Sequence, residues 1–156
     1  MKLIPSFQID HLRLLPGIYV SRRDRISDGW ITTFDIRLKA PNREPTLHPA
    51  AAHTIEHLVA TFLRESPFRD SVVYWGPMGC LTGFYFITRT AEKIEPTAIE
   101  ELIRRAFIFL AGFNGEIPGT RQSECGNCLL HDLPMAKWEA KAFLSQPWRF
   151  TYPEKE

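Results

Sequence analysis

The segment 53–57 concentrates side chains that bind metal ions and transfer protons. It reads His-Thr-Ile-Glu-His, so its reactive residues are His53, Glu56 and His57. On a helix, histidines four positions apart lie one turn apart on one face, where both imidazoles can reach the same cation. Ile55 and Leu58 belong to an apolar stripe on the opposite face, so the histidines are expected to lie away from the core. The spacing therefore predicts a divalent-metal site with a carboxylate beside it.

Two histidines provide only part of a metal site. A catalytic site of this type takes a third protein ligand and keeps one position open. Cys125 is the first choice for that ligand, because Gly126 beside it leaves room for a close approach. Cys125 and Cys128 also have C-x-x-C spacing, but a four-cysteine structural site would need a second pair, and a redox dithiol lacks a thioredoxin-like context. The other candidate ligands are Cys128, His131, Glu124 and Cys80.

Cys80 lies in a short connection between two segments that have strand patterns. As a small buried hydrophobe it would have a packing role, which is common for a free cysteine. As a reactive thiol it would occupy a loop held open by glycine and proline, where a nearby divalent cation stabilises the thiolate. The residues alone favour neither role.

The composition limits the classes of protein that this chain can represent. Its length suits one domain, residues 1–156, and 19 basic against 18 acidic side chains do not favour nucleic acid or an anionic membrane as a partner. Three cysteines do not suit an extracellular disulfide framework. Pro5 and Asp10 interrupt the first residues, unlike a signal peptide, and no run approaches the roughly 18 apolar residues of a membrane span. We expect a cytoplasmic protein.

The elements that must position the reactive residues are strands and helices in mixed order. The patterns predict strands at 17–23, 29–39, 71–75 and 83–89, and helices at 49–65, from 96 to 112 or 115, and from about 134. In the second strand, Phe34 and Ile36 share one face, whereas Asp35, Arg37 and Lys39 share the other. Antiparallel strands with helices packed on one face predict an α+β fold.

Several further motifs follow one another along nearly the whole chain. They are Ser6-Phe7, Asp10-His11, Phe34-Asp35-Ile36-Arg37, Pro41-Asn42, the segment 53–58, Gly79-Cys80, Thr82-Gly83-Phe84-Tyr85, Ile117-Pro118-Gly119, Cys125-Gly126-Asn127, His131-Asp132-Leu133 and Ala136-Lys137. On these motifs the chain resembles the S-ribosylhomocysteine lyases, the LuxS family of autoinducer-2 synthases. Motifs that occur together in the right order are far more specific than any one of them.

The resemblance implies an α+β homodimer with two active sites at the subunit interface. It places one divalent metal per subunit on His53, His57 and Cys125, with a water completing the shell. Ferrous iron is the implied native ion, and zinc or cobalt can take its place. Glu56 and Cys80 match the two general acid/base residues of the family.

The same resemblance implies that Ser6, His11 and Arg37 contact the substrate, some of them from the partner subunit. The implied reaction cleaves S-ribosylhomocysteine to homocysteine and 4,5-dihydroxy-2,3-pentanedione, the precursor of autoinducer-2. The ribose carbonyl must migrate from C1 to C3 before the C5–S bond can undergo β-elimination. These steps need a Lewis acid and two proton carriers but no electron carrier. No organic cofactor is expected, and the chain has no G-x-G-x-x-G or P-loop pattern.

Some residues depart from the family pattern. Leu81 stands where a polar residue such as arginine is usual, so stabilisation of the neighbouring thiolate is expected to depend more on the metal. Tyr74 and Gly76 replace a common aspartate and serine, so the homocysteine end is expected to be held differently. Cys128 lies near Cys125 in the sequence and could compete with it as a ligand or oxidise.

Two other functions stay open on the sequence. The order H-x-x-E-H also occurs in inverted-motif zinc peptidases, and Glu124 could complete such a site. Loss of metal in Glu124→Gln rather than Cys125→Ala would indicate a peptidase. A non-catalytic, metal-binding dimeric relative is the other reading, and only Leu81 and Tyr74 support it. Catalysis that is lost in Cys80→Ala would exclude it.

Overall fold

The structure is a computed structural model that describes residues 7–154. In chain order, its elements are β1 (Gly17–Ile26), β2 (Gly29–Arg37), α1 (Pro49–Glu65), a 3-10 turn (Arg69–Ser71), β3 (Val72–Pro77), β4 (Gly83–Thr90), α2 (Pro96–Gly112) and α3 (Leu133–Leu144). The α+β class predicted from the sequence patterns is confirmed. Among residues 7–154, none of the helices has the length and apolar character of a membrane span.

The four strands form one antiparallel sheet in the order β1-β2-β4-β3. β2 and β4 are the central strands, and their register places Phe34 opposite Phe86 and Asp35 opposite Tyr85. Since side chains alternate between the two faces of a strand, each of these pairs lies on its own face of the sheet. The sheet therefore has an aromatic face and a polar face along its central strands.

The aromatic face packs against the helices. Phe34 and Phe86 are fully buried in the same cluster as Ile55 of α1, Phe107 of α2 and Phe143 of α3. Burying a side chain of this size contributes about 1.5–3 kcal/mol of stability. The opposite face of the sheet carries Asp35, Arg37 and Tyr85, and none of the three helices packs on it through this core cluster. One layer of helices thus covers one face of the sheet, as the sequence predicts.

Helix α1 begins at Pro49 and its N-cap is His48, whose side chain accepts a hydrogen bond from the Ala50 amide at 3.3 Å. Helix α3 has Asp132 as its N-cap, and that carboxylate accepts from the Met135 amide at 2.9 Å. A polar side chain at the N-cap satisfies amides that have no partner within the helix. The Asp132 amide and His131 Nδ1 also donate to the Thr54 hydroxyl oxygen at 3.0 and 3.2 Å, and these bonds hold this end of α3 against α1.

One expectation about β2 is wrong. Lys39 was expected to share a face with Asp35 and Arg37, but β2 ends at Arg37. Beyond that end the alternation is lost, and the Lys39 ammonium pairs with Glu139 of α3 at 2.5 Å. The other differences from the predicted bounds are small. β1 continues to Ile26 instead of ending at residue 23, and α3 begins at Leu133 instead of near residue 134.

Candidate metal centre and thiol cavity

The two histidines of α1 are held by backbone carbonyls of the segment that precedes α3. His53 Nδ1 donates to the Leu130 carbonyl at 2.8 Å, and His57 Nδ1 donates to the Pro118 carbonyl at 2.8 Å. Each ring therefore carries its proton on Nδ1 and leaves Nε2 as a bare acceptor. Outer hydrogen bonds of this kind orient metal-binding histidines and fix their tautomer.

The acceptor atoms of three residues converge on one point. His53 Nε2 and His57 Nε2 are 3.0 Å apart, and Cys125 Sγ lies 3.5 Å from the first and 3.9 Å from the second. A tetrahedral zinc ion would separate two nitrogen ligands by about 3.4 Å, and a nitrogen from a sulfur by about 3.6 Å. Two nitrogen lone pairs at this distance repel each other unless a cation lies between them. The donor set and its spacing therefore fit a divalent transition metal.

His131 joins this group, which we call the His/Cys cluster: His53, His57, Cys125 and His131, whose ligand atoms all lie within 4.8 Å of one another. Cys125 and His131 were both among the candidate third ligands. In the described part of the chain, Glu124, Cys128 and Cys80 are not members of the cluster. Burial and the nearby His53 and His57 lower the pKa of His131 to about 4.

Gly119 supports the position of His57. Its backbone has a φ of +71°, in the left-handed region that side chains disfavour, and a Cβ at this position would lie 3.3 Å from His57 Nδ1. The preceding residue, Pro118, supplies the carbonyl that accepts from the same nitrogen. Glycine therefore allows the chain to turn directly beside the imidazole.

Glu56 lies on α1 between the two histidines and is half-buried. Among residues 7–154 its carboxylate has no hydrogen-bond or ion-pair partner. Helical spacing places this carboxylate on the same side of α1 as the two histidines. Glu124, the carboxylate that a peptidase site would need, instead accepts from the Arg121 amide at 3.4 Å.

Cys80 lines a different cavity, which we call the thiol cavity, of about 230 Å³. His11, Asp35, Arg37 and Tyr152 also line it. Asp35 and Arg37 extend from the polar face of the sheet, so the thiol cavity lies on the side away from the helices. The thiol is exposed and forms no disulfide. None of the residues that line this cavity belongs to the His/Cys cluster.

The thiol has neighbours that stabilise its anion. Burial by itself raises the pKa of Cys80, but hydrogen bonds to Thr82 and the charge of Arg37 outweigh it, so the pKa is lowered. The Sγ lies 3.1 Å from Thr82 Oγ1 and 3.8 Å from Arg37 Nη1. On the sequence, stabilisation of the Cys80 thiolate was expected to depend more on the metal, because Leu81 beside it is not polar. In the structure, Thr82 and Arg37 of the same chain also stabilise this thiolate.

Arg37 is itself fixed by a buried network. Its Nε donates to Asp35 Oδ1 at 3.0 Å and its Nη2 to Asp35 Oδ2 at 2.6 Å, so the pair is bidentate. Tyr152 donates to Asp35 Oδ2 at 2.9 Å, and its ring stacks on Tyr19 with centroids 4.6 Å apart. Burial opposes the charge of Arg37, but Asp35 raises its pKa above the ordinary value. The guanidinium is therefore charged and immobile.

Of the two remaining candidate site residues, His11 and Ser6, the structure describes only His11. His11 lines the thiol cavity, and its Nδ1 donates to the Ile9 carbonyl at 2.9 Å. Ser6 lies outside the described residues. The sequence did not identify Thr82, Asp35 or Tyr152 as part of the site. A signal for Asp35 existed, because it alternates with Arg37 on one face of β2.

Two of the departures from the family pattern are coupled. A Cβ at Gly76 would collide with the phenol of Tyr74, so the tyrosine ring occupies the space that a serine at 76 would use. Tyr74 is exposed, and within the described residues it is not among those that line the thiol cavity. The tyrosine ring at position 74 therefore requires a glycine at position 76.

Residues 4–152 match the family model described as S-Ribosylhomocysteinase (LuxS). The chain belongs to the LuxS family. Its relatives named S-ribosylhomocysteine lyase include one from Phocaeicola vulgatus, 58% identical over 94% of this chain and 90% of the relative. Another, from Porphyromonas gingivalis, is 55% identical over 94% of this chain and 91% of the relative. A third, from Clostridium beijerinckii, is 51% identical over 93% and 91% of the two chains.

The LuxS fold of this chain separates its two groups of reactive residues. The His/Cys cluster lies between α1 and the segment 117–131, on the helix side of the core. The thiol cavity lies on the polar face of the sheet. No residue that lines the thiol cavity belongs to the cluster, so the two groups of reactive side chains are separate in one chain.

Proposed function

We propose that this chain is an S-ribosylhomocysteine lyase, a carbon–sulfur lyase that releases homocysteine and the precursor of autoinducer-2. The observation that carries the proposal is the three-ligand His/Cys geometry in a chain that matches the LuxS family over residues 4–152. The free thiols of the chain suit a reducing compartment, and we place the reaction in the cytoplasm. Residues 1–156 act as one lyase domain.

The ligands of the metal are His53, His57 and Cys125, and one position stays open for a ligand from solution. When bound, the metal supplies a Lewis acid that polarises the carbonyl and hydroxyl oxygens of the substrate. A nitrogen and sulfur donor set of this kind accepts ferrous iron, zinc or cobalt. Ferrous iron is the native ion that we propose, and no organic cofactor takes part.

Glu56 and Cys80 move the protons. Each carbonyl migration removes a proton from the carbon beside the carbonyl and returns one to the former carbonyl carbon. β-Elimination then removes the C4 proton, breaks the C5–S bond and protonates the departing sulfur. Because protons must be transferred on both sides of the sugar chain, one carboxylate and one thiolate can share the task, each contributing about 10²–10⁴-fold.

Arg37 and His11 hold the substrate in the thiol cavity. Arg37 is charged and anchored to Asp35, so it offers a fixed donor next to Cys80. Nδ1 of His11 donates to the Ile9 carbonyl, so Nε2, on the other side of the ring, can contact the substrate. Ser6 completes the set of substrate-contacting residues that we propose.

The active site is shared between two copies of the chain. Glu56 and the His/Cys cluster lie on the helix side, whereas Cys80 and Arg37 lie on the polar face of the sheet. In the arrangement that we propose, a second copy brings its thiol cavity to the cluster, so that one substrate contacts both groups. This separation supports a homodimer with two equivalent sites at its interface.

The direct test is release of a free thiol from S-ribosylhomocysteine by protein prepared without oxygen and loaded with ferrous iron or cobalt. We expect release by the parent, and loss of release in Cys80→Ala and in Glu56→Gln with metal content unchanged. Cys128→Ser, which changes a thiol outside the cluster, is the matched control and should retain activity. A fully metallated parent that releases no thiol would contradict the proposal.

A further inference from the structure

His131 belongs to the His/Cys cluster but has no task in the proposed mechanism. It lies immediately before the N-cap of α3, and its ring stacks on His53 with centroids 4.1 Å apart and planes inclined by 19°. Its Nε2 atom is buried and has no hydrogen-bond partner among the described residues. A buried acceptor without a partner costs about 1–3 kcal/mol, so its retention calls for an explanation.

The hydrogen bonds of Thr54 fix the tautomer of His131. The Thr54 hydroxyl donates its one proton to the Ala50 carbonyl at 3.0 Å, and its oxygen accepts from the Asp132 amide at 3.0 Å. The remaining contact of that oxygen, 3.2 Å to His131 Nδ1, therefore needs a proton on Nδ1. It follows that Nε2 of His131 carries no proton and can only accept.

The stacking argues against His131 as a fourth metal ligand. A metal bound to an imidazole lies near the plane of the ring, at about 2.0–2.1 Å from the nitrogen. Since the rings of His53 and His131 are nearly parallel and separated, a cation in the plane of the first lies well outside the plane of the second. The Nε2 lone pair of His131 is thus left for another group beside the three-ligand centre, since the ligand atoms of all four residues lie within 4.8 Å of one another.

We propose that His131 is a further catalytic residue, whose Nε2 accepts a hydrogen bond from a substrate hydroxyl at the open position. The inference rests on the proposed lyase function. The substrate carries a hydroxyl on the carbon next to its carbonyl, which suits a centre with one Lewis-acid position and one adjacent acceptor. His131 fixes which hydroxyl is presented to the proton carriers, and no bond to His131 forms or breaks.

The test compares His131→Asn with His131→Gln. The asparagine amide can reach Thr54 but not the Nε2 position, whereas the glutamine amide places an acceptor near it. Cobalt-loaded protein gives two readouts besides activity, namely cobalt affinity by chelator competition and the change in the visible spectrum on adding S-ribosylhomocysteine. Thiol release gives kcat and KM for the same samples.

We expect both variants to keep the parent's resting cobalt spectrum and to bind cobalt within about threefold of the parent, because His131 is not a ligand. We expect His131→Asn to lose about 10²-fold in kcat/KM together with the spectral response to substrate, and His131→Gln to retain most of both. Cobalt affinity that falls tenfold or more with a changed resting spectrum would overturn the inference, as would equal losses in the two variants or unchanged activity. A parent that releases no thiol while its cobalt spectrum responds to substrate would count against the lyase function instead.

Discussion

Arg37 Nη1 lies 3.8 Å from the Sγ of Cys80, and the same nitrogen donates to Thr82 Oγ1 at 2.5 Å. Because the Thr82 oxygen accepts from Arg37, its own proton is available to the sulfur 3.1 Å away. The positive charge of the guanidinium thus acts on the thiol both directly and through a hydroxyl. A buried hydroxyl between a cation and a thiolate stabilises the anion, which is why the pKa of Cys80 is lowered.

Removing the hydroxyl of Thr82 should raise the pKa of Cys80. In Thr82→Val the thiolate loses one donor, so a smaller fraction of the thiol is ionised at neutral pH. The midpoint of the pH dependence of Cys80 alkylation, followed by peptide mass, should move to higher pH. The acid limb of lyase activity should move in the same direction, since a protonated thiol cannot accept a proton.

The control for this variant is Thr88→Val, on β4, the strand that follows Thr82. Thr88 is buried on the core side, and its hydroxyl has no partner within the described residues. Its removal should leave the alkylation midpoint unchanged. An unchanged midpoint in Thr82→Val as well would show that the hydroxyl does not act on the thiol.

The buried pair of Lys39 and Glu139 should matter for stability and not for chemistry. The two side chains are 7% and 6% exposed and their charged atoms are 2.5 Å apart. Lys39→Met leaves the Glu139 carboxylate buried without its cation, which should lower the free energy of unfolding by about 3–5 kcal/mol. Urea unfolding at one fixed protein and metal concentration measures this loss.

The double variant Lys39→Met/Glu139→Leu tests whether the lost stability comes from the unpaired buried carboxylate. It removes both charges and keeps similar volumes, so most of the lost stability should return. A single variant as stable as the parent, or a double variant no better than the single one, would mean that the pair is not coupled in solution.

A methyl group at position 119 should weaken metal binding through His57. Gly119→Ala combines a disfavoured φ with a Cβ that lies 3.3 Å from His57 Nδ1, so the imidazole or its Pro118 partner must move. Disturbing the partner of a metal-binding histidine typically costs about 10–100-fold in affinity. Competition between the protein and a chelator for cobalt measures the change.

Gly112→Ala is the matched substitution, because a Cβ there meets nothing within 4 Å. It should bind cobalt as the parent does. Equal affinity in Gly119→Ala would instead show that the loop beside His57 adapts without cost.

The local parts of the site could be predicted from the sequence, whereas its long-range contacts could not. His53 and His57 are four residues apart, and helical periodicity alone places them on one face. Cys125 could be chosen as a candidate only by residue type, since the sequence gives no distance across 72 positions. The Nε2 of His131 is directed by Thr54, which lies 77 positions away and carried no signal of its own.

The polar face of the sheet shows the same limit. The alternation of Asp35 and Arg37 in β2 could be predicted, but the bond from Tyr152 to Asp35 spans 117 positions. Lys39 was misplaced because strand periodicity does not reveal where a strand ends. The pairing of Lys39 with Glu139 depends on how α3 packs, and that packing is a property of the folded core.

Mixing two inactive variants should restore activity if the active site is shared between subunits. Cys80→Ala leaves the His/Cys cluster and Glu56 intact, and Glu56→Gln leaves the thiol cavity intact, so each variant supplies what the other lacks. In a mixed dimer, one site then combines an intact Glu56 with an intact Cys80, and the other site has neither. Random exchange between equal amounts of the two should recover about a quarter of the parent activity.

The variants should be unfolded, mixed, refolded and reloaded with cobalt, beside each variant treated alone. Activity that appears only in the mixture requires a thiolate and a carboxylate from different chains at one substrate, as the two faces of this fold suggest. If the mixture stays as inactive as its components while refolded parent recovers, Cys80 and Glu56 serve the same site from the same chain. A single chain would then have to bring both its thiol cavity and its His/Cys cluster to one substrate.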